Sequence, residues 1–131
     1  MHLAVLADRL LQALRQALGQ HDWGGLRPSH FRLMGCVPPA GATITELSVP
    51  LFMTKQAVGQ FVTHLRDTGH LDLRSDERDR RRRVVVRTPK GDRAVAEVTA
   101  VIDEVERAWA DRVGREDYAT FRRVLEQLTA T

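Results

Sequence analysis

The sequence has a single cysteine, Cys36, among its 131 residues, so an internal disulfide and a cysteine-based zinc site are both excluded. A lone thiol is typical of proteins from a reducing compartment. No apolar run approaches the ~18–20 residues that a membrane-spanning helix needs. Asp8 and Arg9 interrupt the apolar residues at the N-terminus before the hydrophobic region of a signal peptide can form. These absences predict a soluble, cytoplasmic protein.

Patterns that carry catalysis or bind metals are missing as well. The five histidines show no pair at the i, i+4 spacing of metal ligands on one helix face. The sequence has no nucleophile–base pair and no glycine-rich phosphate-binding loop. We therefore expect neither an enzyme nor a protein that carries a metal or a cofactor.

Positive charge, by contrast, is concentrated in one stretch, RSDERDRRRRVVVRTPKG, at residues 74–91. The net charge of the chain is only +3, so the position of the arginines matters more than their number. A local basic cluster favours an anionic partner such as nucleic acid.

Apolar periodicity, together with start and stop signals, predicts six helices. The first should end near Gly19, and a short second helix covers SHFRLMGCV before Pro38. The fifth covers about residues 90–113, and Gly114 separates it from the sixth. The apolar stripe of the first helix is Leu3, Leu6, Ala7, Leu10, Leu11, Leu14 and Leu18, and that of the sixth is Tyr118, Phe121, Leu125 and Leu128.

The third and fourth helices are short and close together. Thr43 and Glu46 form a capping-box pattern at the start of the third helix, and Pro50 is expected to end it after barely two turns. Thr54 can cap the fourth helix, KQAVGQFVTHLRDTG. Its buried face is predicted to be Ala57, Val58, Phe61, Val62 and Leu65, which leaves Lys55, Gln56, Gln60, Thr63 and His64 pointing elsewhere.

Two strand candidates follow, LDLR and the β-branched RVVVRT, and the polar residues between them suit a hairpin with a long tip. A short helix, a tight turn, a helix with a polar face and then a charged hairpin is the order of a winged helix-turn-helix. We therefore predict a mainly α fold with a small β-hairpin wing.

The polar face of the fourth helix suits the DNA major groove, because N-terminal side chains of such a helix reach base edges. On this interpretation the DNA-binding residues are Thr54, Lys55, Gln56, Gln60 and Thr63. A solvated helix surface would show the same pattern, so the helix alone leaves both interpretations open.

The arginine-rich hairpin favours DNA over a merely solvated loop. Arginine suits phosphates and a narrow, electronegative minor groove. A disordered basic tail would lack the strand-forming residues that flank this run. Asp76, Glu77 and Asp79 alternate with the arginines, so the acids can hold some arginines in place while others reach out.

At these residues the sequence resembles the MarR (multiple antibiotic resistance regulator) family of bacterial winged-helix transcription factors, over about residues 27–113. TEL resembles the first motif helix, TKQAV the start of the recognition helix and LRDTGHL the exit into the wing. Asp76 and the DRR of residues 79–81 match the wing signature, and Thr88 and Gly91 follow at the usual spacing.

The resemblance implies roles for the arginines. In this family the arginine two residues after the wing aspartate enters the minor groove and the aspartate braces it, which points to Arg81 and Asp79. The other arginines are expected to bind the DNA backbone: Arg74, Arg80, Arg82 and Arg83. Four positions depart from the family pattern. Glu77 stands in place of Pro, Phe52 in place of a turn Gly and Arg87 in place of an apolar residue, and Pro50 shortens the helix before the turn.

We expect one MarR-like domain, residues 1–131, with a winged part at 27–89 and dimerisation helices at 1–20 and 90–131. The terminal helices have more apolar surface than a winged-helix core can use, which usually marks an interface. The resemblance implies a two-fold homodimer, whose recognition helices about 34–36 Å apart can enter successive major grooves of a near-palindromic operator. The alternative is that these helices pack on their own domain.

The resemblance also implies a small aromatic or phenolic effector that releases a repressor from DNA. The position-matched residues of its pocket are Trp23, His30, Phe31 and Met34, for which ordinary core packing is the alternative. Cys36 follows an apolar segment and is expected to be a buried, inert thiol rather than an oxidant sensor.

The sequence thus predicts a homodimeric regulator of transcription, a repressor that binds double-stranded DNA sequence-specifically. Lys55, Gln56 and Gln60 would read the major groove. The alternative function is a winged-helix module for protein–protein contact, in which the basic wing meets an acidic partner.

Overall fold

The computed structural model describes residues 1–130, which form six helices and one two-stranded antiparallel sheet. This confirms the predicted mainly α fold with a β-hairpin. In chain order the elements are α1 (Leu3–Gly19), α2 (Pro28–Gly35), α3 (Ile44–Leu51), α4 (Lys55–Asp67), β1 (Leu71–Ser75), β2 (Arg83–Arg87), α5 (Pro89–Val113) and α6 (Arg115–Thr129).

The predicted capping box at the start of α3 is confirmed. The backbone N–H of Glu46 donates to Thr43 Oγ1 at 3.1 Å, and that of Thr43 donates to Glu46 Oε1 at 3.0 Å. Two of the free N–H groups at the helix start are thereby satisfied reciprocally.

The end of α3 differs from the prediction, because Pro50 lies inside the helix and does not end it. The helix ends one residue later at Leu51, where Phe52 adopts a left-handed conformation with φ 53° and ψ 42°. The N–H groups of Phe52 and Met53 return to Val49 O and Ser48 O, in the pattern of a Schellman motif. A bulky residue in this conformation costs about 1–2 kcal/mol, which explains why glycine is the usual choice.

The wing is an antiparallel hairpin in which Leu71 pairs with Arg87 and Ser75 with Arg83. Ala42 adds an isolated bridge to Val85 and so attaches the hairpin to the segment before α3. Gly41 makes this approach possible, since a Cβ at its position would lie 2.9 Å from the Val85 carbonyl oxygen.

The start of α5 is fixed against the start of β1. Thr88 Oγ1 donates to Gly69 O at 2.5 Å and accepts from Gly91 N–H at 3.1 Å. A Cβ on Gly91 would lie 2.1 Å from the His70 carbonyl oxygen, so any side chain there would force the elements apart. The Thr-x-x-Gly spacing noted in the sequence therefore has a packing reason.

Residue contacts divide the chain into two compact units, residues 22–98 and residues 1–21 with 99–131. The winged unit, 22–98, has a continuous core; the side chains that are least exposed are Leu33, Met34, Leu47, Leu51, Val58, Val62, Leu65 and Val85. Val58, Val62 and Leu65 confirm the predicted buried face of α4, while Ala57 and Phe61 are half-buried.

The terminal unit consists of α1, the C-terminal part of α5, and α6. Many of its apolar side chains are exposed in the single chain: Leu3, Val5, Leu6, Leu10, Leu11, Val113, Phe121, Val124, Leu125 and Leu128. Among the described residues, no helix is both long enough and apolar enough to cross a membrane.

Candidate nucleic-acid interface

The recognition helix α4 presents a polar face beginning at its first residue. Lys55, Gln56 and Gln60 are exposed, and Gln56, Gln60 and Thr63 follow one another at spacings of four and three residues, which places them on one side of the helix. The opposite side carries the buried apolar residues. The structure thus places Gln56, Gln60 and Thr63 on one solvent-facing stripe, with Lys55 exposed at the start of the helix.

The two threonines of this set already have local partners. Thr54 Oγ1 accepts from the N–H of Ala57 at 3.1 Å and caps α4, as predicted. Thr63 Oγ1 donates to Gly59 O at 3.0 Å. A Cβ on Gly59 would meet no atom within 4 Å, so packing within the protein does not require glycine at this position.

The tip of the wing is shaped by two aspartates. Asp76 Oδ1 accepts from Arg78 N–H and Asp79 Oδ1 accepts from Arg81 N–H, each at 3.1 Å. Such short-range bonds fold the backbone into local Asx turns. Asp79 therefore braces Arg81 through its backbone and leaves the guanidinium unoccupied by this carboxylate.

Arg82 is paired with carboxylates of the protein itself, where the sequence suggests a phosphate contact. Its Nη1 donates to Asp76 Oδ2 at 3.0 Å, and its Nη2 donates to Glu46 Oε1 on α3. Its backbone carbonyl joins the two ends of the loop, because Asp76 N–H donates to Arg82 O at 2.8 Å. With its guanidinium occupied by two carboxylates, Arg82 ties the wing to α3 rather than extending into solvent.

The other arginines predicted to bind DNA, Arg81 for the minor groove and the rest for phosphates, are free to meet an anion. Within residues 1–130, no ion pair involves an arginine of this group: Arg74, Arg80, Arg81 and Arg83, all of which are exposed. Unpaired guanidinium groups on a positioned loop are suited to phosphate and minor-groove recognition.

Arg87, which departs from the family pattern, has a structural role at the base of the wing. Its Nε lies 3.0 Å from Asp92 Oδ1, and its Nη1 donates to the Met34 carbonyl at 3.4 Å. The side chain therefore links β2 to the first turn of α5 and to α2. A hydrophobic residue at this position could make neither contact.

Two of the four predicted effector-pocket residues line one cleft, and the pocket itself stays a prediction. Trp23 and Phe31 line an open cleft of about 450 Å³, with ring centroids 5.2 Å apart and an edge-to-face arrangement. Met34 is fully buried in the core, and His30 lies outside the cleft lining. Residues that the sequence did not indicate complete the wall: Leu26, His70, Lys90, Arg93, Ala94 and Glu97, with Asp22 and Gly24.

His30 instead packs against the recognition helix. Its ring stacks on His64 at 5.0 Å and meets Phe61 edge-on at 5.3 Å. Its Nδ1 accepts from Arg27 N–H at 2.9 Å, which caps α2. Burial, followed by the nearby charges of His64, Arg27 and His70, lowers the pKa of His30 below its ordinary value of 6.5.

Cys36 lies just beyond α2 and is half-buried, so it is more accessible than expected.

The helix-turn-helix of α3 and α4, together with the hairpin, defines a winged-helix protein. The chain shares its fold with solved MarR-family regulators, and it carries the wing signature noted in its sequence. No protein-family model matches it.

Among curated proteins, the chain is 32% identical over 111 residues to the HTH-type transcriptional regulator PetP of Rhodobacter capsulatus. The match covers 85% of this chain and 66% of PetP, so the chain spans slightly less than two thirds of that relative.

Solved structures show the same fold. A MarR-family regulator from Rhodococcus sp. RHA1 aligns with a TM-score of 0.76 at 17% identity, covering 98% of this chain and 92% of that one. CouR from Rhodococcus jostii RHA1, bound to p-coumaroyl-CoA, gives 0.76 at 18%, covering 98% and 90%. A point mutant of MepR from S. aureus, bound to an oligodeoxyribonucleotide, gives 0.64 at 19%, covering 95% and 91%.

Proposed function

We propose that this protein is a homodimeric, sequence-specific regulator of transcription that binds double-stranded DNA in the bacterial cytoplasm and acts as a repressor. The observation that carries the proposal is that the wing arginines differ in their contacts. Arg82 is paired with Asp76 and Glu46, while its arginine neighbours stay exposed. A loop that served only solubility would not need a fixed base.

In this proposal the polar stripe of α4 contacts the bases. Gln56 and Gln60 can each pair with an adenine edge, and Lys55 can donate to guanine or to phosphate. Arg81 enters the minor groove, and Arg74, Arg80 and Arg83 bind phosphates. Thr54 and Thr63 keep their helix contacts and assist from their positions on α4.

The exposed apolar residues of the terminal unit support dimerisation. Leu6, Leu10, Trp109, Tyr118 and Phe121 line one apolar groove there. A continuous apolar groove on a protein surface is stabilised by a partner, and a second copy gives the two-fold symmetry that matches two operator half-sites.

The Trp23–Phe31 cleft supports a small aromatic effector, and its lining carries charges of both signs. Its aromatic wall can pack against a ring, and Lys90 and Arg93 lie at its edge. Lys90 Nζ also donates to Thr68 O at 2.7 Å, so a ligand would have to share this ammonium group. CouR, which has the same fold, binds p-coumaroyl-CoA, a ligand with a phenolic ring.

The test begins with selection of bound duplexes from a random-sequence pool, followed by affinity measurements at several salt concentrations. We expect one near-palindromic sequence to bind far more tightly than random DNA, with a stoichiometry of one dimer per site. Arg81→Ala should weaken binding about tenfold or more and leave the dimer intact.

Equal affinity for selected and random DNA would argue against a sequence-specific regulator. Binding to an acidic protein surface, with no binding to DNA, would instead favour the protein–protein module, which the same exposed arginines could serve.

A further inference from the structure

The turn between α3 and α4 contains a side chain that the fold does not use. Phe52 is 93% exposed, although phenylalanine is among the residues that gain most from burial. Single exposed apolar residues are common on protein surfaces, so exposure alone decides nothing.

The backbone at Phe52 is strained as well. Phe52 is the only non-glycine residue among the described ones with a positive φ. Glycine would satisfy the same Schellman motif without strain, and asparagine would do so with little. The chain therefore keeps an aromatic ring at a position where it is both strained and unburied. Strain of this kind that the fold does not require is a reason to look for a function.

Phe52 lies in the turn that leads into the helix proposed to bind DNA. It lies two residues before Thr54, the cap of α4, and three before Lys55, the first exposed residue of that helix. In a helix-turn-helix this end of the helix enters the major groove. A side chain that projects from the turn is then close to the edge of the groove.

We propose that Phe52 is an apolar DNA contact that contributes to operator affinity. The ring has no donor or acceptor for a base edge, but it fits the apolar groups that duplex DNA presents, the thymine methyl and the C–H face of deoxyribose. Binding removes the exposed ring from water, which compensates for the strain carried by the free protein. This inference rests on the proposed function.

The experiment uses two substitutions that tolerate a positive φ, Phe52→Gly and Phe52→Asn, in the full chain. Both should fold at least as stably as the wild type, because the strain of the left-handed phenylalanine is relieved. Both should bind the selected duplex about fivefold or more weakly. Thermal unfolding and salt-controlled binding assays measure the two effects separately.

A duplex with thymine replaced by uracil, one position at a time, identifies the DNA group. If Phe52 contacts a methyl group, one replacement weakens wild-type binding and has no further effect on Phe52→Gly. If every replacement is without effect but Phe52→Gly still binds weakly, the contact is to deoxyribose. Either outcome supports an apolar contact.

Arg81→Ala distinguishes a failure of the Phe52 contact from a failure of the proposed function. If it weakens binding while Phe52→Gly and Phe52→Asn bind as tightly as the wild type, the role of Phe52 is wrong and the proposed function stands. If neither the wild type nor any variant prefers the selected duplex over random DNA, both the function and this contact are wrong.

Discussion

Arg82 Nη1 donates to Asp76 Oδ2 at 3.0 Å, across the base of the wing loop, and the same guanidinium reaches Glu46 on α3. Glu46 Oε1 also accepts from Thr43 N–H, so one carboxylate oxygen serves both the helix cap and the wing. The orientation of the wing relative to the helix-turn-helix thus depends on a residue that the sequence suggested as a phosphate contact.

The first prediction separates positioning from phosphate binding at Arg82. We expect Arg82→Ala to lower the free energy of unfolding by about 0.5–1 kcal/mol, a small effect because its side chain is 40% exposed. DNA affinity should fall with little change in its salt dependence. Arg80→Ala is the matched control, and it should leave stability unchanged and reduce the salt slope by about one. Identical slopes for the two variants would contradict this assignment.

The second prediction compares two glycines on helices. Gly91→Ala should lower the free energy of unfolding by about 3 kcal/mol, because the new methyl group would collide with the His70 carbonyl. Gly59→Ala should raise it by about 0.5–1 kcal/mol, since its Cβ would enter open space inside a helix. Chemical denaturation measures both, and equal effects would show that the contact at Gly91 is not formed in solution.

The third prediction concerns pH and His30. Its pKa in the folded state lies below 6.5, mainly because of burial, so folding favours the neutral ring. The contribution of the neutral ring to stability is full above about pH 6.5 and is lost as the pH falls through the lowered pKa. Protonation would also break the cap, because Nδ1 accepts from Arg27 N–H.

The control for this prediction is His30→Gln, which keeps an acceptor at the capping position but does not titrate. Chemical denaturation at about pH 7.5 and about pH 5.5 should show a smaller loss of stability for this variant than for the wild type. His70, whose pKa is lowered mainly by burial and then by Lys90 and His64, retains its share of the loss in both proteins. An unchanged pH dependence would exclude His30 as a contributor.

The fourth prediction uses the only tyrosine of the chain, Tyr118. Its hydroxyl donates to Glu106 Oε1 at 2.6 Å, and burial together with this bond raises its pKa to about 12. Folding favours the neutral phenol, so this contribution to stability is present below about pH 10 and is lost as the pH rises toward 12. Ultraviolet titration of the phenolate should therefore show a midpoint well above 10.0 in the wild type. In Glu106→Gln the midpoint should move back toward 10.0, and a normal midpoint in the wild type would mean that the bond is absent.

The features that depend on residues close together in the chain were predicted correctly. The caps at Thr43 and Thr54 require only residues three positions away, and both are present as expected. The hairpin followed from β-branched residues between polar ones, and its strands begin and end within a residue or two of the prediction.

Long-range partners could not be read from the sequence. Arg82 meets Glu46 over 36 residues and Arg87 meets the Met34 carbonyl over 53, and no spacing rule links such positions. The effector prediction was limited in the same way: resemblance placed four residues together, but packing sends Met34 to the core and His30 to α4. Pro50 was misjudged, because it lies inside α3, which ends one residue later at Leu51.

The bridge between Ala42 and Val85 gives the wing a second attachment, made by backbone atoms alone. Its bonds, Ala42 N–H to Val85 O at 3.1 Å and Val85 N–H to Ala42 O at 2.7 Å, do not depend on which side chains the tip carries. Substitutions in the tip should therefore leave the base of the hairpin attached to the segment before α3.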